Sequence, residues 1–143
     1  MPHRHAACRA ILVTCIDYRI VGPLHGMLAD RGLAGGVDVV SWPGGALRLG
    51  AEDGDAVFEA VAIADKLHAP EELVLATHHD CGWLGGSEQF VDVNAEAAYL
   101  DGRLDELAAA ARERFPHLRV TRVRIDIDGN PHVVEGRVGA EQR

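Results

Sequence analysis

A chain of 143 residues, 48% hydrophobic and 25% charged, is long enough to bury a core of its own and reads as one domain over residues 1–143. Its formal charge of −8 excludes nucleic acid and anionic membranes as general partners, and no apolar run approaches the roughly 20 residues that cross a bilayer. The start, Met1-Pro2-His3-Arg4-His5, carries no signal-like apolar segment, and three cysteines fit no disulfide framework, so a cytoplasmic protein with metal-ligating or inert thiols is expected.

The first strand is expected over Ala10 to Thr14, followed by Cys15-Ile16-Asp17-Tyr18-Arg19. A helix with an irregular start at Gly22-Pro23 runs from Ile20 to Arg31, with Leu24, Met27 and Leu28 as its apolar stripe and Gly32 as its stop. Val37 to Ser41 reads as the second strand. Beyond it Trp42-Pro43-Gly44-Gly45 forms a loop whose glycines would let backbone approach a neighbouring site, a tight turn with no chemical role being the alternative. Val57, Ala60, Val61, Ala64 and Leu67 repeat at helical spacing within Asp55 to Leu67, with Asp53 or Asp55 as cap and Pro70 as terminator.

Leu73-Val74-Leu75-Ala76 reads as a buried third strand that runs out into Thr77-His78-His79-Asp80-Cys81-Gly82. Asp92 or Asn94 opens a further helix with Leu100, Leu104, Leu107, Ala111 and Phe115 on one face, in which Gly102 costs about 1 kcal/mol relative to alanine. From Val120 to Ile127, Thr121, Val123, Ile125 and Ile127 alternate with Arg122, Arg124 and Asp126, which predicts one buried face and one wet face. Asp128-Gly129-Asn130 signals a turn, and His132-Val133-Val134 a short returning strand. The order β-α-β-α-β-α-β-β implies a three-layer α/β fold: a mostly parallel sheet flanked by helices, closed by an antiparallel hairpin.

If the first and third strands lie parallel in one sheet, their two clusters emerge at the same carboxyl edge, where open α/β sheets place their sites. Together Cys15, His78 and Cys81 offer thiolate, imidazole and thiolate, a set suited to tetrahedral zinc with one position left for water or a carboxylate. Residues 15, 17 and 19 point the same way if that segment is extended, and an aspartate beside an arginine is held ionised and oriented.

Cys-x-Asp-x-Arg after the first core strand and His-x-x-Cys-Gly after the third resemble the β-class carbonic anhydrases; the residues here are Cys15, Asp17, Arg19, His78, Cys81 and Gly82. Val39-Val40 followed by Gly44-Gly45, the helix over Asp55 to Leu67 and the hairpin around Gly129 fall in the same family order. The resemblance implies a Zn2+ cofactor held by Cys15, His78 and Cys81. Asp17 and Arg19 would then form the catalytic dyad beside the fourth ligand, or Asp17 would itself take that position. Gly44, Gly45 and Gly82 would line the substrate site. The implied activity is that of a carbon-oxygen lyase, in which zinc-generated hydroxide attacks carbon dioxide to give bicarbonate, in a homodimer or higher homo-oligomer. Tyr18 and Trp42-Pro43 depart from the residues usual at their positions, and only a few residues precede Ala10 where the family usually has helices. The same zinc chemistry on carbonyl sulfide or carbon disulfide, and a non-catalytic zinc-binding protein, stand as alternatives.

Outside these motifs, Cys8 reads as a small buried hydrophobe. His79 and Asp80 read as exposed loop residues, with proton relay as the alternative, and His25 and His68 as surface residues. His3 and His5 read as a disordered end, with adventitious metal binding as the alternative, and Trp83 and Leu84 as a pocket wall or a subunit contact.

Overall fold

The structure is a computed structural model and describes residues 7–127 and 131–135. His3, His5 and the Asp128-Gly129-Asn130 turn lie outside the described residues.

Five strands form one sheet: β1 (Ala10–Thr14), β2 (Val37–Ser41), β3 (Glu72–His78), β4 (Arg119–Asp126) and β5 (His132–Glu135), in the order β2-β1-β3-β4-β5. The first four run parallel and β5 pairs antiparallel with β4. The helices are α1 (Val21–Asp30), α2 (Gly54–His68) and α3 (Val93–Arg114). Every residue of β1 and β3 is buried, as expected of central parallel strands covered on both sides. Successive side chains leave a strand on opposite faces, so Ile11, Val13, Leu73 and Leu75 pack with Val57 and Val61 of α2 and with Leu100, Leu104 and Leu107 of α3. Ala10, Leu12, Val74 and Ala76 pack on the other side with Leu24, Met27 and Leu28 of α1. Full burial of one such leucine contributes about 1.5–3 kcal/mol, so the three layers rest on these two stripes of apolar side chains.

The expected punctuation is realised at the ends of α1. A short 3-10 turn (Tyr18–Ile20) leads in, Pro23 sits in the first turn, and Gly32 stops the helix at φ 68° while Leu33 N–H donates to Leu28 O at 2.8 Å. Asp92, not Asn94, caps α3, its Oδ1 accepting from Ala95 N–H at 2.8 Å. Asp53 occupies the cap position of α2 without capping it; its carboxylate pairs with Arg48 instead. A buried 3-10 helix, Gly45–Gly50, follows the glycine pair and inserts Ala46, Leu47 and Leu49 into the core. Six residues are too few for sequence periodicity to reveal it.

The wet face expected on β4 is not wet. Arg122 is buried, because α3 covers that face and supplies Asp105 to it, and Arg124 pairs with Asp101 at 2.5 Å and with Asp126 at 2.8 Å. Polar alternation here records ion pairing beneath a helix. At the opposite end of the sheet, the buried Glu72 holds Arg31 at 2.7 Å and Arg119 at 3.2 Å, tying α1 to β3 and β4.

Candidate metal centre

Neighbouring parallel strands β1 and β3 are paired with Val13 opposite Leu75, so the chain leaves both at the same edge. Cys15 follows β1 directly and His78 ends β3. After His79 the backbone turns through Asp80 at φ 57°, a left-handed conformation that aspartate tolerates better than most side chains. That turn brings Cys81 back beside His78. Its carbonyl then accepts from the N–H groups of Leu84 and Gly86, both at 3.0 Å, which fixes the bend. The ligating atoms of Cys15, His78 and Cys81, all buried, lie within 4.8 Å of one another.

The donor set fits a zinc ion on one observation in particular. Nδ1 of His78 meets the carbonyl oxygen of His79 at 2.6 Å, a contact that assigns the proton to Nδ1 and leaves the Nε2 lone pair free. Nε2 is buried and has no hydrogen-bond partner among the described residues. A buried polar atom left unpaired is costly, and an imidazole nitrogen between two thiols is what a zinc ion would satisfy. The hydrogen bond from Cys81 pushes the Cys15 thiol well below the ordinary thiol range, and the same contact, with burial, raises Cys81. Gly44 N–H points at Cys15 Sγ from 3.4 Å and adds to the stabilisation of its thiolate. Burial opposes an imidazolium at His78, but the Cys15 thiolate outweighs it and raises that residue.

Asp17 and Arg19 come together in a way an extended segment does not provide. The chain bends after Asp17, whose Oδ1 caps the 3-10 turn by accepting Arg19 N–H at 2.9 Å. The guanidinium of Arg19 folds back over the carboxylate, with Nη2 at 2.7 Å from Oδ2 and Nε at 3.1 Å from Oδ1. Hydrogen bonding to Arg19 holds the Asp17 carboxyl at about 2, against the opposing effect of burial. Its Oδ2 lies 3.8 Å from His78 Nε2, beside the ligand cluster.

Sequence reasoning missed a second tier. Asp80 receives Arg19 Nη1 on its Oδ2 and Nη2 on its carbonyl, both at 3.0 Å, so Arg19 bridges the two clusters. Beneath Asp80 lies Glu96, buried on α3, which accepts Asp80 N–H at 2.8 Å and the Ser87 hydroxyl at 2.7 Å. A signal existed: Glu96 stands four residues before Leu100, an acid on the apolar face of its helix. His79 is also buried rather than exposed, its N–H donating to Ile125 O at 3.0 Å and its Nδ1 lying 3.5 Å from Asp126.

A cavity of about 470 Å³ opens on Cys15, with Asp17 and Arg19 on its polar side and Ile16, Pro43 and Trp83 among its apolar walls. Trp83 therefore lines a pocket, and Arg48 stacks on its ring at 5.1 Å. Trp42 is not part of this lining; it packs against the core, and Pro43 takes the place at the cavity. Of the three glycines singled out, Gly44 and Gly82 border the cavity, whereas Gly45 presses on the backbone of Cys15.

Comparison with known proteins agrees with this arrangement. A curated protein of Rickettsia conorii, described as "Uncharacterized protein RC0076", is 28% identical over 126 residues, covering 83% of this chain and 68% of its own. An uncharacterized protein of Rickettsia bellii is 25% identical over 126 residues, covering 83% and 77%. The fold is that of solved β-carbonic anhydrases. One from Trichomonas vaginalis superposes with a TM-score of 0.60 at 16% identity, over 94% of this chain and 86% of that one. A tetrameric one from Sordaria macrospora gives 0.60 at 17%, over 94% and 82%. Residues 5–103 match the family described as "Putative carbonic anhydrase", and since that is well over half of the chain, the protein belongs to this carbonic anhydrase family.

Proposed function

We propose that the protein is a zinc-dependent carbonic anhydrase that interconverts carbon dioxide and bicarbonate. The observation that carries this reading is the unpartnered Nε2 of His78 set between Cys15 and Cys81, with the Asp17 carboxylate 3.8 Å away. Cys15, His78 and Cys81 would hold the ion. When bound, zinc supplies Lewis acidity that brings the pKa of an adjacent water toward about 7.

The chain's own residues supply the rest. Asp17, ionised throughout the neutral range, would accept a hydrogen bond at the open side of the ligand cluster, and Arg19 fixes both of its oxygens so that they keep one orientation. The same geometry would serve Asp17 as a fourth ligand, and the pH profile separates the two roles. Gly44 and Gly82 border the space a small substrate would take, while Ile16, Pro43 and Trp83 give an uncharged molecule such as carbon dioxide an apolar approach. Ile16 and Tyr18 stand exposed at the mouth of this cavity, and together with the tetrameric assembly of the Sordaria neighbour they support a homo-oligomer. No helix among the described residues is long and apolar enough to cross a membrane, and the net charge of −8 disfavours nucleic-acid partners.

Stopped-flow carbon dioxide hydration on protein of confirmed zinc content, scanned from about pH 6.5 to 9, tests the proposal. Hydration that vanishes in Cys15→Ser and Asp17→Ala is expected. Zinc firmly bound without hydration at any pH in that range would overturn it, and hydrogen sulfide release from carbonyl sulfide in the same protein would redirect it to that substrate.

A further inference from the structure

At the other end of the sheet a second set of metal-ligating side chains converges. Cys8 lies just before β1, Asp38 is in β2, and His68 is the last residue of α2. A ligating atom from each lies within 4.8 Å of the other two. Contrary to the sequence reading, Cys8 is only half-buried and so has access to solvent. Along an extended chain at about 3.3 Å per residue, Cys8 and Cys15 stand roughly 20 Å apart, so this cluster is separate from the centre described above.

We propose that Cys8, Asp38 and His68 form a second divalent-metal site, one that takes zinc or an ion of similar softness. The donor chemistry chooses the ion. A thiolate and an imidazole disfavour calcium and magnesium, which prefer all-oxygen sets, and sulfur, nitrogen and carboxylate oxygen together suit tetrahedral zinc with a water in the fourth position. Ligands at about 2.0–2.3 Å from a tetrahedral ion stand roughly 3.3–3.6 Å from each other. Here His68 Nδ1 and Asp38 Oδ2 are 2.5 Å apart and would open by under an ångström or so. Cys8 Sγ, now turned to the carbonyl of Ala10 at 3.3 Å, lies within 4.8 Å of both and would close to that spacing.

His68 has an exposed side chain, and Cys8 precedes the first strand, so side-chain rotation alone can accomplish this. On binding, the Cys8 thiol gives its proton to solvent and the metal takes its place. The ion would pin the end of α2 to the amino-terminal ends of β1 and β2. A His68–Asp38 ion pair at a helix carboxyl end accounts for two of the three groups. The Cys8 thiol, from a third element, is turned to the Ala10 carbonyl and lies within 4.8 Å of both, so a small side-chain rotation would bring it to the ion.

The test is a metal count on the full chain, stripped with chelator and dialysed against buffer held at roughly micromolar free zinc. The expected result is one equivalent of zinc that disappears in Cys8→Ser and in His68→Ala yet survives Cys15→Ser, while carbon dioxide hydration is unchanged in the first two variants. Cobalt in place of zinc should show a thiolate-to-metal charge-transfer band in Cys15→Ser/Cys81→Ser, where Cys8 is the remaining cysteine, that Cys8→Ser/Cys15→Ser/Cys81→Ser lacks. Absence of any equivalent with this dependence overturns the proposal, as does a second equivalent lost only in His3→Gln/His5→Gln. The zinc count across the variants decides the outcome whether or not the parent hydrates carbon dioxide, so failure of the anhydrase reading leaves it distinct.

Discussion

Gly45 is where the fold and the metal centre constrain one another, and replacing it with alanine should damage both. The residue has φ 53°, a left-handed conformation that an L side chain enters at about 1–2 kcal/mol. A Cβ built there would lie 2.5 Å from Cys15 N and 2.7 Å from Thr14 C, up to about 0.9 Å inside the 3.4 Å at which ordinary contact begins. Both atoms belong to the backbone at the end of β1, a strand bonded on both sides, so neither can swing away. Overpacking of that kind adds about 1–3 kcal/mol, and the lower chain entropy of unfolded alanine returns less than about 1. Gly45→Ala should therefore lose about 2–4 kcal/mol, a large share of a typical 5–15 kcal/mol. Urea unfolding of metal-free protein measures it, with a midpoint expected to fall by about 1–2 M. Gly44→Ala is the internal comparison: its Cβ would meet the Trp83 ring at 2.8 Å, and that half-exposed side chain can move, so only the left-handed strain of about 1–2 kcal/mol remains. A Gly45→Ala protein within about 0.5 kcal/mol of the parent would refute the reasoning.

Glu72→Ala should destabilise by about 2–4 kcal/mol, less than the roughly 3–5 of a fully buried pair because Arg119 is 65% exposed. Burial pushes the Glu72 carboxyl up, but the Thr121 hydroxyl and Arg31 outweigh it and leave it below its ordinary 4.5. The stability it contributes is thus present above about 4.5 and drains away as the pH falls through its lower folded value, so the parent should lose its advantage over Glu72→Gln in acid melts; parallel curves would contradict this. Arg19→Lys removes the fork that grips Asp17, whose carboxyl should climb from about 2 toward its ordinary 3.8 in a carboxyl NMR titration; an unmoved value would mean that Arg19 is not the cause. Arg122 is buried with Nε and Nη2 unpartnered among the described residues, so Arg122→Met should be neutral or stabilising by about 1–2 kcal/mol on denaturation, and a loss above 2 would show that its pair with Asp105 matters more than its burial. Gly102 has open space around its Cβ position in α3, so alanine there should raise stability by about 1 kcal/mol, visible as a higher melting temperature.

The sequence by itself determined the order of strands and helices and the chemistry at the edge of the sheet. Apolar runs bounded by glycine and proline are local signals, and Cys15 follows one such run while His78 ends another, so parallel pairing brought these two to one side and the short turn through Asp80 added Cys81. Only the tertiary structure decided what surrounds them. Arg19 reaches Asp80 across 61 positions, Glu96 comes up from α3 to hold the same turn, and Cys8 meets Asp38 and His68 where a strand start, a second strand and a helix end abut. Burial of His79 and Arg122 likewise depends on which helix covers which face. Periodicity records that a residue faces a layer; what that layer offers it, water or a carboxylate, is set by packing between elements far apart in the chain.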